Sequence, residues 1–173
     1  EHISIGFNRD FSKNNFFPKI LFLGWLEDFK GIKELLKASL ILKNKGYKFK
    51  ISIAGDGSAR KYVIDYINKY NLKDFVYLEG WVDDRKKIAI LKESNIFILP
   101  SWNEGFPNAL IEAMSAGLAC IVSRVGTIPD FVDDEKNVLL IKPKIINEIV
   151  FALEKLVKDD KLRQKISQNA FLY

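Results

Sequence analysis

The stretch Ile96-Phe97-Ile98-Leu99-Pro100-Ser101-Trp102-Asn103-Glu104-Gly105-Phe106-Pro107-Asn108-Ala109-Leu110-Ile111-Glu112-Ala113-Met114-Ser115-Ala116-Gly117 decides the fold. Four apolar residues in a row are followed by a polar turn with glycine and proline, then by a segment of helical period. A strand that is apolar at every position is covered on both faces, which is the habit of a parallel sheet sandwiched between helices. Ile20-Leu21-Phe22-Leu23 has the same character.

Outward from this unit the alternation repeats. Strand-like runs at 19–24, 49–54, 75–78, 96–99 and 119–123 are followed by helix-like runs at 32–45, 60–70, 84–93 and 108–116 and by a short helical turn near 128–132; residues 138–141 make a sixth strand. Strands alternating with helices define an α/β domain with a doubly wound parallel sheet of about six strands, Rossmann-like and three-layered (αβα). The chain has 173 residues, 48% hydrophobic and 28% charged, and reads as a single domain over 1–173. No run approaches the roughly 18 to 20 apolar residues of a membrane span. The N-terminus lacks the basic start and apolar stretch of a secretory signal.

The lone cysteine, Cys120, sits in Leu118-Ala119-Cys120-Ile121-Val122 and reads as a small buried hydrophobe. One cysteine and one histidine, His2, exclude a disulfide framework and a transition-metal centre built on those residues, and a reducing cytoplasm is the expected setting. Net charge is +5, but the lysines at 33, 37, 43, 45, 48 and 50 are spread among apolar residues and the densest run is Arg85-Lys86-Lys87. A solvated face is the expectation, with no nucleic acid as partner and at most a weak attraction to anionic lipid or a phosphate ligand.

Open α/β sheets bind ligands where strands turn into helices at the carboxyl edge. Four such turns stand out: Gly24 to Gly31, including Trp25 and Lys30; Gly55-Asp56-Gly57; Gly80-Trp81-Val82; and Pro100 to Asn108. None carries a dinucleotide or P-loop glycine fingerprint, so a phosphate would be held otherwise. Pro107 suits a first helical position, where free N–H groups would face an anion, and Lys30 would add a full charge. Glu104 and Glu112 would lie about 12 Å apart on a continuous helix, too far for one acid/base pair. Glu104 suits a sugar hydroxyl or a developing positive charge. Glu112 suits either a ribose diol or simple helix stabilisation, and the chemistry of the residues leaves those two open.

Glu104 to Gly117 closely resembles the Glu-x7-Glu motif of the family 4 (group 1) retaining glycosyltransferases. It arrives in the family's order with Gly24 to Gly31, Gly55-Asp56-Gly57, Gly80-Trp81-Val82, Leu99-Pro100-Ser101 and Val125 to Asp130. The resemblance runs from about Pro18 to the final helix and corresponds to the C-terminal donor domain of the GT-B fold. It implies a nucleoside-diphosphate sugar donor, no metal or other cofactor, and transfer with retention, in bacterial polysaccharide or glycolipid assembly. It also implies catalytic roles for Lys30 against the leaving diphosphate and Glu104 against the donor sugar. Donor binding would fall to Gly24, Trp25, Gly55, Trp81, Val82, Gly105, Phe106, Pro107, Asn108, Ala109, Leu110 and Glu112. The backbone amides of 106–110 would hold sugar and phosphate, Glu112 the ribose, and Trp81 and Val82 would wall the base.

Two departures are visible: Trp25 stands where members commonly carry arginine, and Thr127 where a second glycine is usual. The family also implies an N-terminal acceptor domain that these residues do not contain, so the expectation is a fragment inactive alone, entered through 6–11, cytoplasmic and peripheral at the inner membrane face. A helix over 162–173 would lead toward the other domain. The readings from other classes are a noncatalytic nucleotide-sugar module and a GT-B-like sugar-nucleotide epimerase, the latter expected to need histidines beyond His2.

Overall fold

The computed structural model describes residues 17–171. Six strands, β1 (Lys19–Leu23), β2 (Lys50–Ala54), β3 (Val76–Gly80), β4 (Ile96–Leu99), β5 (Ala119–Ser123) and β6 (Val138–Ile141), form one sheet in the order β3-β2-β1-β4-β5-β6. Every pairing is parallel. The helices are α1 (Ile32–Asn44), α2 (Arg60–Lys69), α3 (Asp84–Glu93), α4 (Asn108–Ser115), α5 (Ile146–Lys158) and α6 (Asp160–Phe171), with 3-10 turns at Asp28–Lys30 and Ile128–Asp130. The doubly wound α/β sheet expected from the alternation is therefore present, with all six strands within two residues of their expected bounds.

All residues of β4 and β5 are buried, as their apolar runs Ile96–Leu99 and Ala119–Val122 require, and polar Ser123 at the end of β5 is buried with them. Phe22 and Phe97 are among the largest fully enclosed side chains, and full burial of a residue of this size contributes about 1.5–3 kcal/mol. Cys120 is buried in β5, its thiol directed at the Leu118 carbonyl. The expected turn over 128–132 is the shorter 3-10 turn. Helix α5 was not assigned from the sequence, although Ile149, Val150, Leu153 and Leu156 recur at helical spacing on its buried face and pack it against α1. Of the expected terminal segments, 6–11 and 172–173 lie outside the described residues.

Several lysines expected on a solvated face do local work. Lys43 donates to the carbonyls of Tyr70 (3.0 Å) and Asn71 (2.9 Å), closing the end of α2, and Lys45 pairs with Glu154 of α5 at 2.6 Å.

The strand order places the reversal of chain direction between β1 and β4. The chain steps from β1 out to β3, then returns to the other side of β1 and steps out to β6. At such a reversal the flanking loops diverge and leave a crevice at the carboxyl edge.

Backbone hydrogen bonds stitch the loops at that edge. The amide of Gly24 donates to the Ala54 carbonyl (3.0 Å), that of Leu26 to Asp56 (3.0 Å), that of Gly55 to Gly80 (2.8 Å) and that of Ala59 to Leu26 (2.8 Å). Glu27 completes the seam by accepting from the Ser58 amide at 3.0 Å and the Ser58 hydroxyl at 2.5 Å. The Ser58 hydroxyl, then the Ser58 amide, hold the Glu27 carboxyl below the usual glutamate value. A lowered carboxylate pKa means stability present above the unfolded value and lost as pH falls through the folded one. Ser58→Ala is expected to move the Glu27 titration back up toward the ordinary glutamate range; carbon-detected NMR of the carboxyl checks this.

Candidate functional site

The β1 and β4 loops meet in the crevice. Lys30 ends the 3-10 turn after β1, and Gly31 follows it in the left-handed region (φ 72°), ending that turn and opening α1. Only glycine fits there: a β-carbon on Gly31 would lie 2.0 Å from the Pro100 carbonyl oxygen of the β4 loop. The loops are also joined by a 2.7 Å hydrogen bond from the Trp102 amide to the Phe29 carbonyl.

This close approach brings Lys30 and Glu104 together. Lys30 Nζ lies 2.8 Å from Glu104 Oε1 and 3.0 Å from Oε2, and the side chains are 17% and 6% exposed. Ser101 Oγ donates to Glu104 Oε1 at 2.6 Å. The sequence assigns Lys30 and Glu104 to different parts of a ligand; in the structure each is the other's partner, because the fold brings residues 74 positions apart onto one crevice.

The helix starts where the 108–116 run places it, but Pro107 lies just outside it rather than at the first helical position. α4 begins at Asn108, and Pro107 (φ −83°, ψ 79°) caps it. The Asn108 amide turns back to the Phe106 carbonyl at 3.0 Å, so Pro107 is the centre of an inverse γ-turn. This corrects the expected anion cradle. The Leu110 amide is taken by the Pro107 carbonyl (2.9 Å), the Asn108 amide by Phe106, and Pro107 has none. The amides of Gly105, Phe106 and Ala109 have no acceptor among the described residues. The Leu110 side chain is core.

Glu112, one turn further along α4, is bonded through Oε1 to Lys87 Nζ of α3 at 2.7 Å. That hydrogen bond is the main reason the Lys87 ammonium stands above the ordinary lysine value. In the sequence Lys87 belongs to a run expected to be solvated, and nothing local points across 25 residues to Glu112. Asp83 sets the start of α3 by accepting from the Lys86 amide at 2.8 Å. On the far side of the β4 loop, the Thr127 hydroxyl donates to the Gly105 carbonyl at 2.8 Å, so the departure at Thr127 ties two loops together.

Large aromatic side chains rim the edge: Trp25 after β1, Trp81 after β3 and Phe106 after β4 are 66%, 70% and 66% exposed. Phe106 is braced by Phe131, with ring centroids 6.2 Å apart. Val82, beside Trp81, is half-buried against the core. Gly24 and Gly55 lie side by side in the seam, where a β-carbon on Gly55 would meet the Gly24 carbonyl oxygen at 1.8 Å.

A parallel sheet with a paired lysine and glutamate at its chain reversal and unpartnered amides beside them defines an α/β domain with a polar crevice at its carboxyl edge. Over residues 7–172 the chain matches the family model for glycosyl transferases group 1, and it belongs to that family. It is 40% identical over 120 residues to the UDP-Gal:alpha-D-GlcNAc-diphosphoundecaprenol alpha-1,3-galactosyltransferase of Escherichia coli, covering 68% of this chain and 30% of the relative. A glycosyltransferase of Methanocaldococcus jannaschii is 29% identical over 166 residues, covering 96% of this chain and 42% of the relative. The chain thus spans less than half the length of these curated relatives. Among solved structures, the C-terminal domain of a group 1 glycosyltransferase from Francisella tularensis superposes with a TM-score of 0.79 at 25% identity, covering 96% of this chain and 90% of that one. No helix among the described residues is long and apolar enough to cross a membrane.

Proposed function

We propose that the chain is the donor-binding domain of a two-domain glycosyltransferase, holding a nucleoside-diphosphate sugar for metal-independent transfer with retention. The observation that carries this reading is the meeting of Lys30 and Glu104 at the β1–β4 reversal, beside the unpartnered amides of Gly105, Phe106 and Ala109. A diphosphate entering there competes with Glu104 for the Lys30 ammonium, and the freed carboxylate turns to the sugar hydroxyls. As the bond to the sugar breaks, charge builds on the leaving phosphate. A lysine and backbone N–H groups that need no reorganisation are suited to stabilise it. Glu112, oriented by its hydrogen bond from Lys87, accepts from the ribose diol, and Trp81 and Val82 flank the base. The acceptor falls to an N-terminal domain, and transfer takes place in the cleft between the two; alone, this domain binds donor without turnover.

Polysaccharide or glycolipid assembly at the cytoplasmic face of a membrane fits a relative whose name carries a lipid-linked diphosphate acceptor and UDP-Gal. The buried single thiol fits that reducing setting. Saturation-transfer NMR of the chain against UDP-, GDP- and ADP-sugars tests the reading. One base is expected to be selected, with binding lost in Lys30→Ala and weakened about 10-fold or more in Glu112→Ala, each variant first shown to be folded. Equal binding by wild type and both variants would remove the site from these residues.

A further inference from the structure

Ser101 has no part in the roles set out above, yet it is firmly held in the crevice. It is fully buried, its hydroxyl lies 2.6 Å from Glu104 Oε1, and its neighbours are fixed on both sides. Pro100 is pressed against Gly31, where a β-carbon would sit 2.0 Å from the Pro100 carbonyl oxygen, and the Trp102 amide is bonded to the Phe29 carbonyl at 2.7 Å. The backbone carrying Ser101 is therefore clamped to the β1 loop, and the hydroxyl is presented from a rigid frame.

The two groups that hold Glu104 differ in what a ligand does to them. Lys30 contacts both carboxylate oxygens from a long side chain with free rotors, and an incoming diphosphate attracts its ammonium. Once Lys30 swings toward phosphate, Glu104 loses the partner that fixes its direction. The serine hydroxyl is neutral, short and clamped, so phosphate does not draw it off. It keeps Oε1 and leaves Oε2 turned to the ligand.

We propose that Ser101 is a positioning residue that aims the Glu104 carboxylate at the donor sugar once the donor's diphosphate has taken Lys30. The inference rests on the donor-site reading above and adds a specific consequence to it. Loss of the hydroxyl harms recognition of the sugar while sparing the nucleoside diphosphate, because Lys30, the amides and Glu112 are untouched.

The test compares dissociation constants of the chain, by calorimetry, for UDP with UDP-galactose, GDP with GDP-mannose and ADP with ADP-glucose, in wild type and in Ser101→Ala and the near-isosteric Ser101→Cys. For the base that wild type selects, both variants are expected to bind the sugar nucleotide at least about 10-fold more weakly, as loss of one hydrogen bond to a charged group implies, with the free diphosphate unchanged. Retained affinity for the free diphosphate also certifies the fold; if alanine unfolds the chain, cysteine carries the comparison. Unchanged sugar-nucleotide affinity, or equal loss for both ligands, overturns the positioning role and leaves the donor site standing. Wild-type binding to none of the six overturns the donor site and this inference together.

Discussion

Lys30→Met is expected to lower the unfolding free energy by about 3 kcal/mol, because it leaves the Glu104 carboxylate buried without its counter-charge. The figure is at the low end for a broken buried pair since Lys30 keeps some contact with water, at 17% exposure against 6% for Glu104. Glu104→Leu removes the charge instead and strands the Ser101 hydroxyl, a loss of about 1 kcal/mol or more. The double variant Lys30→Met/Glu104→Leu is expected to be clearly more stable than the sum of the single losses predicts, with a coupling of at least about 1 kcal/mol. Denaturant unfolding of the four proteins measures this directly. Strict additivity would mean that the two side chains do not sense one another in solution. Such a pair is a costly way to stabilise a fold, since apolar residues of similar volume are often as good. Its retention in a crevice is understandable if one member must be released to a ligand.

Gly126→Ala is expected to be among the most damaging single methyl additions near the site. Gly126 is in the left-handed region (φ 55°), and a β-carbon there would lie 1.8 Å from the Glu104 carbonyl oxygen, a backbone atom that can yield only by moving its loop. Backbone strain of about 1–2 kcal/mol adds to overpacking of about 1–3 kcal/mol, giving a loss near 3 kcal/mol. The displaced residue is Glu104 itself, so sugar-nucleotide binding falls along with thermal stability. Retained stability with intact binding would show that the Val125–Thr127 turn can swing clear of Glu104.

The fold was legible because its signal is local and redundant. Fully apolar runs such as Ile96–Leu99, separated by helical segments, announce a parallel sheet one strand at a time. Helix α5 escaped although its apolar spacing is clear, because it follows the last strand, where no further alternation called for it. The strand order was open, since an alternating chain is compatible with more than one arrangement, and it is the order that puts β1 beside β4. At the site, residue types were readable and pairings were not. The sequence singles out Lys30, Glu104 and Glu112 as charged groups in the right turns. That Lys30 faces Glu104, and that Lys87 faces Glu112, depends on contacts between segments 74 and 25 residues apart. The amide cradle differs from expectation for a local reason: the inverse γ-turn at Pro107 takes the Asn108 amide, and the Pro107 carbonyl takes that of Leu110.

The seam of main-chain hydrogen bonds joining the loops at the carboxyl edge bears on how such a domain can diversify. Gly24, Leu26, Gly55, Ala59 and Trp102 all make their cross-loop bonds through backbone N–H groups, so loop position depends little on side-chain identity apart from the ties made by Glu27 and Thr127. Trp25, Trp81 and Phe106 protrude from this fixed frame with two-thirds of their surface free. Mutation can exchange those three without resetting the geometry of Lys30 and Glu104. A lineage can thereby vary the rim of the crevice while the Lys30–Glu104 pair is inherited unaltered, and the tryptophan at position 25 is the kind of change that such insulation permits.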